Sequence, residues 1–375
     1  MNHHHNNYLV IMAGGIGSRF WPMSTAEKPK QFLDVLGTGR TLLQQTIHRF
    51  GNLVPMENVY IVTSASYKEI IREQLPELTD QQVLLEPCMR NTAPCIAYAC
   101  YKIREINPEA RIVVAPSDHL VTNEPEFERV IAEGIEFVSQ NAALLTLGIK
   151  PHRPETGYGY IQSSKEKLKI KNEKSEDSLV VPHFIQPVEA FKEKPDQETA
   201  QSYLASGDFF WNSGIFLWTA NAIIRAFEEN LPEVAAVFAG GAAVYNTGKE
   251  QAFVDEVYPT CVNISVDYGI MEKAENVYVL VAEFGWSDLG TWGSLYEELD
   301  KDGNENTVSG KHVFMYDSTG NIVNAGDDHL VVIQGLKDCI VVQNGNIILV
   351  CRREDEQKIK QFVNEIKTEV GDDMM

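Results

Sequence analysis

Short apolar runs alternate with amphipathic stretches between residues 8 and 148 of the chain. The apolar runs are nearly free of charge, and they are Tyr8–Ala13, Val59–Thr63, Val83–Leu85, Arg111–Ala115 and Leu144–Gly148. Helical periodicity marks the stretches between them, which are Leu42–Phe50, Ser66–Leu75, Thr92–Ile106 and Glu126–Ser139. Uncharged runs of this length are typical of buried parallel strands. The alternation therefore predicts an α/β fold in which helices cover both faces of a parallel sheet.

The second half of the chain has a different pattern. Strand and helix signals are interleaved over Val188–Glu229, and short β-type runs separated by Gly, Asn and Asp follow after about residue 300. These runs are His312–Tyr316, Asn321–Asn324, His329–Gln334, Cys339–Gln343 and Ile347–Cys351. They indicate a small stacked β element, which a helix over Glu354–Glu369 closes. The polar stretch Asp300–Asn306 then divides a larger α/β domain, residues 1–300, from a β-rich domain with its closing helix, residues 301–375.

Composition limits the classes of partner. The chain has 375 residues, of which 44% are hydrophobic, so it can bury a sizeable core. Its formal net charge of −21 argues against a nucleic acid or an anionic membrane as partner, because either would need a basic face. No apolar run approaches the ~20 residues that a membrane span needs. If the substrate is an anion, the site itself must supply the positive charge that binds it.

Three further features carry no chemistry of their own. The six cysteines have no zinc-type spacing, so we expect reduced, buried thiols and a cytoplasmic protein. The segment His3–His5 belongs to a terminus without a signal-peptide pattern. A disordered leader is the favoured interpretation of that segment, with metal binding as the alternative. The stretch Ser163–Asp177, rich in lysine and glutamate, is predicted to be an exposed hairpin or loop.

The first strand runs into a glycine-rich segment, Ala13–Arg19 (AGGIGSR). Glycines at a strand end let backbone N–H groups approach a phosphate, and a helix that starts there adds a favourable dipole. A dinucleotide fingerprint is excluded because Phe20 stands where its third glycine is required, and the P-loop pattern is absent. A structural turn would explain the glycines alone. It would not explain the cations Arg19, Lys28 and Lys30, which favour a polyphosphate ligand.

The longer segment Ala13–Leu33, AGGIGSRFWPMSTAEKPKQFL, resembles the signature of sugar-1-phosphate nucleotidylyltransferases. Within that family it is most similar to bacterial mannose-1-phosphate guanylyltransferases, in which F-W-P-M-S is followed by P-K-Q-F. The resemblance implies that Lys30 contacts phosphates and that Lys28 is accessory. It also implies a Rossmann-like, GT-A-like domain with a mixed, mainly parallel sheet. A small C-terminal β-helix-like element and a terminal helix are expected to follow.

The resemblance further implies a nucleotide site and a metal site. The implied nucleotide-binding residues are Ala13, Gly14, Gly15, Gly17, Ser18, Arg19, Lys30, Glu86, Asn91, Thr92, Ser117 and Asp118. The segment Glu86–Pro94 (EPCMRNTAP) resembles the family loop that lies against base and ribose, and it also suits an ordinary helix cap. Asp118 follows a predicted strand, where ligands bind in open α/β sheets. With Asp288 in WSDLGTW it matches the aspartates that hold Mg²⁺ or Mn²⁺, ions that prefer oxygen ligands.

Several weaker motifs resemble the segments that bind the sugar phosphate in the same family. They contain Tyr158 and Gly159 of ETGYGYI, Glu193 and Lys194 of FKEKP, Asn212 of FWNSGIF, and Asp267 of SVDYGIMEK. A buried asparagine must satisfy its polar groups, and sugar hydroxyls can do so. Each motif alone is commonplace, but their order and spacing match the family from residue 8 to about residue 292.

The implied reaction joins GTP and mannose 1-phosphate into GDP-mannose and pyrophosphate. Arg19, Lys30, Asp118 and Asp288 are the expected catalytic residues, and they act by positioning and charge neutralisation because the attacking phosphate oxygen is already an anion. A sugar nucleotidylyltransferase for UTP or dTTP and a non-catalytic sugar-nucleotide-binding regulator are the alternatives.

Two expectations concern assembly and extent. The β-rich tail is a plausible surface for a homodimer. No cupin-type isomerase domain follows residue 375, so phosphomannose isomerase activity is not expected.

Overall fold

The computed structural model describes residues 4–15, 17–164, 169–171, 178–180 and 184–371. The strands are β1 Asn7–Met12, β2 Val59–Ser64, β3 Val83–Glu86, β4 Arg111–Pro116, β5 Leu120–Val121, β6 Leu144–Ile149, β7 Gly159–Ser163, β8 Lys169–Lys171, β9 Ser178–Val180, β10 Ile185–Glu193, β11 Phe209–Thr219, β12 Val277–Ala282, β13 Trp286–Ser287, β14 Thr307–Ser309, β15 Val313–Tyr316, β16 Ile322–Asn324, β17 Val331–Gln334, β18 Cys339–Asn344 and β19 Ile347–Arg352. The α-helices are α1 Leu42–Arg49, α2 Lys68–Gln74, α3 Thr92–Ile106, α4 Glu124–Gln140, α5 Gln197–Ser206, α6 Ala220–Asn230, α7 Pro232–Ala239, α8 Glu250–Val257, α9 Trp292–Glu298 and α10 Ile359–Val370.

The chain forms two compact units that do not follow its linear order. Unit 1 contains residues 1–14, 47–117 and 121–286, and unit 2 contains residues 15–46, 118–120 and 287–375. The glycine-rich segment therefore divides after Gly14, and most of it packs in the same unit as the β-rich end of the chain. The domain boundary near residue 300 stays a prediction.

Unit 1 is built on a nine-stranded mixed sheet with the order β3-β2-β1-β4-β11-β6-β12-β10-β7. All of these strands except β10 and β11 run in the same direction. The apolar run of β1 is buried because β2 and β4 flank it. The carboxyl ends of β1, β3 and β4 lie at one edge of the sheet, which brings the residues that follow them to that edge.

Unit 2 stacks parallel strands in the manner of a β-helix. Strands β14, β16 and β18 pair side by side, and β15 pairs with β17. At the start of these strands the buried amide of Asn321 donates to Asn306 Oδ1 at 2.9 Å and accepts the Cys339 N–H at 2.9 Å. This chain of amides sets the register of successive turns. A core that includes Phe20, Trp292 and Ile340 joins the start of the chain to its end within unit 2.

The predicted fold class is confirmed. The five strands predicted in the first half all occur, each within one residue of its predicted ends. The prediction omitted β12, although its sequence VYVLVA has the same apolar character. The terminal helix begins later than expected: Arg353–Lys358 is a 3₁₀ segment, and the residue before it, Arg352, provides no capping side chain.

Three smaller expectations can be compared with the structure. The predicted hairpin over Ser163–Asp177 lies partly outside the described residues, but β8 and β9 pair in antiparallel fashion. His3 lies outside the described residues as well. All six cysteines are free, and Cys95, Cys100 and Cys261 are buried whereas the other three are half-buried. Within the described part of the chain, we find no helix with the length and apolar character that crossing a bilayer requires.

Candidate active site

The phosphate loop of unit 2 is the segment from Gly15 to Leu33. Gly17 has a φ of +63°, and a Cβ there would lie 2.9 Å from Lys30 Cβ, so only glycine fits. A 3₁₀ turn follows over Ser18–Phe20, and Gln31 donates to the Gly15 carbonyl at 2.9 Å. Lys28 is exposed at the far end of the loop. The predicted glycine-rich turn is thus held open by contacts with the segment that carries Lys30.

The aromatic ring that excluded the dinucleotide fingerprint has a structural role. Phe20 is buried, and its ring lies 5.1 Å from that of Trp292. The neighbouring Arg19 is exposed and forms no ion pair with any residue that the structure describes. Its guanidinium is therefore available to an anionic ligand.

Lys30 joins the two predicted metal-binding segments within unit 2. It is 3% exposed, and its ammonium lies 2.9 Å from Asp118 Oδ2. It also donates to the carbonyls of Asp288 and Leu289, both at 2.9 Å. The structure thus brings together three of the four predicted catalytic residues. Their meeting was expected, but the contact between Lys30 and backbone carbonyls was not.

The carboxylate of Asp118 is partly exposed, at 30%. Burial favours its neutral form, but the ammonium of Lys30 and the nearby His119 outweigh that effect and hold the pKa of Asp118 below its usual value. His119 Nε2 lies 4.0 Å from Asp118 Oδ1, so this imidazole lies beside the carboxylate. Asp118 is therefore an anion with an accessible oxygen.

The donors of this group fit a divalent cation that also binds substrate. Asp288 Oδ1 accepts the Gly290 N–H at 2.8 Å, which orients its carboxylate. The described residues contain no cluster of three potential metal ligands. Mg²⁺ usually binds one or two carboxylates and completes its shell with water and phosphate oxygens, so Asp118 and Asp288 offer the type of ligand that it prefers.

The recognition loop, residues 86–94, lies in unit 1 between β3 and α3. Asn91 adopts a φ of +65° and caps α3 by accepting the Thr92 N–H at 2.9 Å. Thr92 Oγ1 accepts the Val266 N–H at 2.9 Å, and Arg90 donates to the Pro259 carbonyl at 2.7 Å. The predicted cap is confirmed, and two contacts support the loop, one from Pro259, which the sequence analysis did not identify, and one from Val266 of the motif SVDYGIMEK.

Glu86 is a buried carboxylate at the end of β3. The hydroxyl of Tyr258 donates to its Oε1, and its Oε2 lies 3.2 Å from the position that a Cβ on Gly14 would occupy. Burial raises the pKa of Glu86 to about 7, although the hydrogen bond from Tyr258 opposes the shift. The charge of this carboxylate therefore changes near neutral pH. Tyr258 follows no recognisable motif, so the sequence offered no signal for it.

Replacement of Glu86 by glutamine is expected to remove a pH-dependent loss of stability. The folded-state pKa lies above the ordinary value of 4.5, so the wild type loses stability as pH rises from about 4.5 through about 7. A shift of this size corresponds to about 3 kcal/mol. Urea unfolding of both proteins at about pH 4.5 and about pH 8 measures it. The free energy of unfolding of Glu86→Gln, relative to that of the wild type, should be larger at about pH 8 than at about pH 4.5. An equal difference at both pH values would contradict the raised pKa of Glu86.

A buried ion pair fastens the recognition loop to the rest of unit 1. Lys102, on α3, is 2% exposed, and its ammonium lies 2.6 Å from Glu250 Oε2 at the start of α8. Glu250 also accepts the Tyr98 hydroxyl and the Asn246 N–H, both at 2.7 Å. Helix α3 begins at the recognition loop, and the turn after α8 carries Tyr258. The ion pair therefore holds two elements that position Glu86–Pro94.

The residues predicted for the sugar side meet in unit 1. Strands β7 and β10 pair Gly159 with Glu193, and a Cβ on Gly159 would lie 2.7 Å from Glu193 Oε2. Asn212 donates to Asp267 Oδ1 at 2.8 Å. Burial, together with the charge of Glu193, raises the pKa of Asp267, while the hydrogen bond from Asn212 opposes that rise. Two carboxylates and an amide thus present acceptors and a donor in one place, as hydroxyl groups require.

The remaining two residues of this cluster flank it. Tyr158 is buried, and its ring packs edge-on against Trp211 and Trp286, each at 5.2 Å. Lys194 is exposed, and its ammonium lies 3.3 Å from Glu193 Oε1. All six predicted residues are therefore neighbours, with Lys194 at the accessible side.

Comparisons with known proteins show the family of the chain and several similar proteins. A family model described as nucleotidyl transferase matches residues 8–305, and one described as a MannoseP isomerase/GMP-like beta-helix domain matches residues 310–366. A mannose-1-phosphate guanylyltransferase of Salmonella montevideo is 38% identical over 365 residues, which are 96% of this chain and 74% of that protein. One from Escherichia coli is 34% identical over 361 residues, which are 96% of this chain and 73% of that protein.

A solved structure is also similar. It is a crystal structure from Thermus thermophilus described as a mannose-1-phosphate geranyltransferase, and it superposes with a TM-score of 0.84. The identity is 29%, and the match covers 96% of this chain and 99% of that one. The similarity thus extends over both the nucleotidyl transferase region and the β-rich end.

Proposed function

The chain belongs to the nucleotidyl transferase family, and from that premise we propose that it transfers GMP from GTP to α-D-mannose 1-phosphate and releases pyrophosphate. The observation that carries the proposal is the convergence of Lys30, Asp118 and the Asp288 turn in unit 2. A buried ammonium that pairs with one carboxylate and donates to the backbone of a second aspartate suits a site that handles phosphates together with a metal. The relatives named above supply the choice of GTP and mannose 1-phosphate.

The chemistry is an in-line displacement. A phosphate oxygen of the sugar phosphate forms a bond to the α-phosphorus of GTP, and the bond from that phosphorus to the β-phosphate oxygen breaks, so that pyrophosphate leaves. The attacking oxygen is already an anion, which makes a general base unnecessary. Arg19 and the N–H groups of Gly15 and Gly17 stabilise charge on the leaving pyrophosphate, since preorganised donors act most strongly where charge develops.

Enzymes of this family use a divalent metal, and we assign Asp118 and Asp288 as its protein ligands in this chain. Bound there, Mg²⁺ or Mn²⁺ would supply positive charge to phosphate oxygens. Lys30 keeps the pKa of Asp118 low, so this carboxylate is ionised and ready to coordinate. The Gly290 N–H holds Asp288 in one orientation.

The clusters of unit 1 supply recognition. We assign the recognition loop, with Glu86, Asn91 and Thr92, to the base and ribose of the nucleotide. The sugar-side cluster, which includes Asn212 and Asp267, is assigned to the hydroxyls of mannose, and Lys194 to its phosphate. A half-buried amide–carboxylate pair of this kind can discriminate between ligands, because a ligand that lacks a hydroxyl leaves a polar group unpaired.

Replacement of Asn212 by alanine is expected to weaken the binding of mannose 1-phosphate selectively. Its amide orients the Asp267 carboxylate, and a hydrogen bond from a sugar hydroxyl to such a charged group is worth about 1.5–3 kcal/mol. The KM for mannose 1-phosphate should rise about tenfold or more while the KM for GTP changes little, as steady-state kinetics would measure. Asn221→Ala is the matched control, because Asn221 bonds the Pro108 carbonyl at the opposite edge of the sheet. A rise in the KM for GTP alone would contradict the assignment to the sugar.

A pyrophosphate-release assay tests the proposed function directly. Purified protein is supplied with Mg²⁺, each of GTP, ATP, UTP and dTTP in turn, and each of several hexose 1-phosphates. Release is expected with GTP and mannose 1-phosphate above all other pairs. Preference for UTP or dTTP would indicate a different sugar nucleotidylyltransferase. Binding of GDP-mannose without turnover of any pair would indicate a regulator.

A further inference from the structure

Every hydrogen of the Lys30 ammonium already has an acceptor within unit 2. An ammonium has three N–H donors. They face Asp118 Oδ2 and the carbonyls of Asp288 and Leu289, each at 2.9 Å. The side chain is 3% exposed, so water does not compete for these bonds. In this state no donor of Lys30 remains for a phosphate.

The acceptors are held in place by a strained turn. Leu289 has a φ of +43°, a left-handed backbone conformation that is strained for a non-glycine residue. The turn is closed by the bond from the Gly290 N–H to Asp288 Oδ1, at 2.8 Å. This bend directs two successive carbonyls to one ammonium. Strain of this kind persists only when the surrounding contacts determine it, and Lys30 is the contact that the two carbonyls share.

The stem of the lysine is held as well. A Cβ on Gly17 would lie only 2.9 Å from Lys30 Cβ, so the stem of the lysine passes close to the Gly17 backbone. The ammonium lies 5.5 Å from the centre of the Phe20 ring. One buried cation therefore connects the phosphate loop, the Asp118 segment and the Asp288 turn. Without it Asp118 would have to keep its charge beside a polar but neutral turn, which is unfavourable for a carboxylate that is only partly hydrated.

We propose that Lys30 is the internal counter-cation of the metal site. It neutralises Asp118 and holds the Asp288–Gly290 turn in the metal-free enzyme, and it gives up Asp118 when a divalent cation binds. The inference rests on the proposed function only for the assignment of Asp118 and Asp288 as metal ligands. It makes Lys30 a positioning residue in the resting state, in addition to the phosphate contact that the family resemblance implies.

The counter-cation role predicts behaviour that a phosphate ligand alone would not show. Mn²⁺ without any substrate must displace Lys30 from Asp118, so it should bind the wild type weakly. Removing the ammonium should tighten that binding about tenfold or more, the factor by which one neighbouring charge commonly changes the ionisation of a carboxylate. It should also destabilise the metal-free protein, and Mn²⁺ should restore the stability.

The test compares Lys30→Met, which keeps the length of the side chain, with Lys360→Met, an exposed lysine of α10 in the same unit. Mn²⁺ affinity is measured by electron paramagnetic resonance titration without nucleotide, and the melting temperature is measured in EDTA and in saturating Mn²⁺. We expect tighter Mn²⁺ binding and a lower melting temperature in EDTA for Lys30→Met, with the temperature gap closing in Mn²⁺, and wild-type values for Lys360→Met. Equal Mn²⁺ affinity in Lys30→Met and the wild type would overturn the proposal.

A second variant covers the case in which Lys30→Met does not fold. On an Asp118→Asn background the lysine has no charge to neutralise, so the further loss of stability from Lys30→Met should be smaller. Recovery of folded protein in the double variant supports the proposal, and failure of the double variant overturns it. These readings need no turnover. A lack of pyrophosphate release in the substrate panel would therefore reject the proposed function without deciding the role of Lys30.

Discussion

Asp118→Asn is expected to lower kcat by about 10²–10³ while the fold survives, as is typical when one preorganised charge is removed from an active site. Asparagine keeps the shape of the side chain but cannot supply an anionic oxygen to a metal. It also leaves the buried ammonium of Lys30 without its charged partner. Initial rates of pyrophosphate release at saturating GTP and mannose 1-phosphate measure the loss.

The design of this experiment separates catalysis from folding. Asp328→Asn is the control, because Asp328 lies in the same unit, is 84% exposed and pairs with the neighbouring His329. It should turn over at the wild-type rate. The melting temperature of Asp118→Asn identifies any variant that has lost its fold. Turnover near the wild-type rate in a folded Asp118→Asn protein would remove Asp118 from the proposed mechanism.

Glu250→Ala is expected to cost about 3–5 kcal/mol of unfolding free energy, because removing one partner leaves a buried charge without compensation. The ammonium of Lys102 is 2% exposed and would lose both carboxylate oxygens, which lie 2.6 Å and 2.8 Å away. The Tyr98 hydroxyl would lose its acceptor as well. Urea-induced unfolding followed by circular dichroism measures the change.

An exposed ion pair of the same unit provides the comparison. Arg225 and Glu229 lie on α6 with side chains 74% and 58% exposed, and exposed pairs of this spacing contribute about 0.3–0.5 kcal/mol. Glu229→Ala should therefore cost little. The double variant Glu250→Leu/Lys102→Met should recover much of the loss, since apolar residues of similar volume often replace a buried pair at no cost. A loss below about 1 kcal/mol in Glu250→Ala would mean that water reaches Lys102.

Local patterns accounted for much of the fold. The apolar runs of β1, β2 and β4 could be identified because strands buried on both faces carry no charge, whatever their neighbours are. The cap at Asn91 was also predictable, since a capping side chain acts on the residue next to it. The order of the strands was not, because β11 and β10 enter the sheet against its main direction through contacts distant in the chain.

The candidate site divides in the same way. Lys30, Asp118 and Asp288 were found from motifs. The contacts of Lys30 with the Asp288 and Leu289 carbonyls could not be found in this way, because those carbonyls lie 258 and 259 positions away along the chain. Two of the acceptors of Lys30 are backbone carbonyls, and their direction follows from the positive φ of Leu289. Tyr258 gave no signal because a tyrosine before a proline is ordinary until a buried carboxylate is found beside it.

The sequence by itself determined the family, the kinds of chemical group in the site and the positions of most buried strands, because these depend on residue types within short windows. Only the tertiary structure decided that residues 15–46 pack with residues 287–375 in one unit. It also decided that the three N–H groups of the Lys30 ammonium face Asp118 and two carbonyls of a strained turn. A hydrogen bond depends on distance and direction in space. Residue identity can show that a cation is present, but which acceptors it faces follows from how the chain is folded.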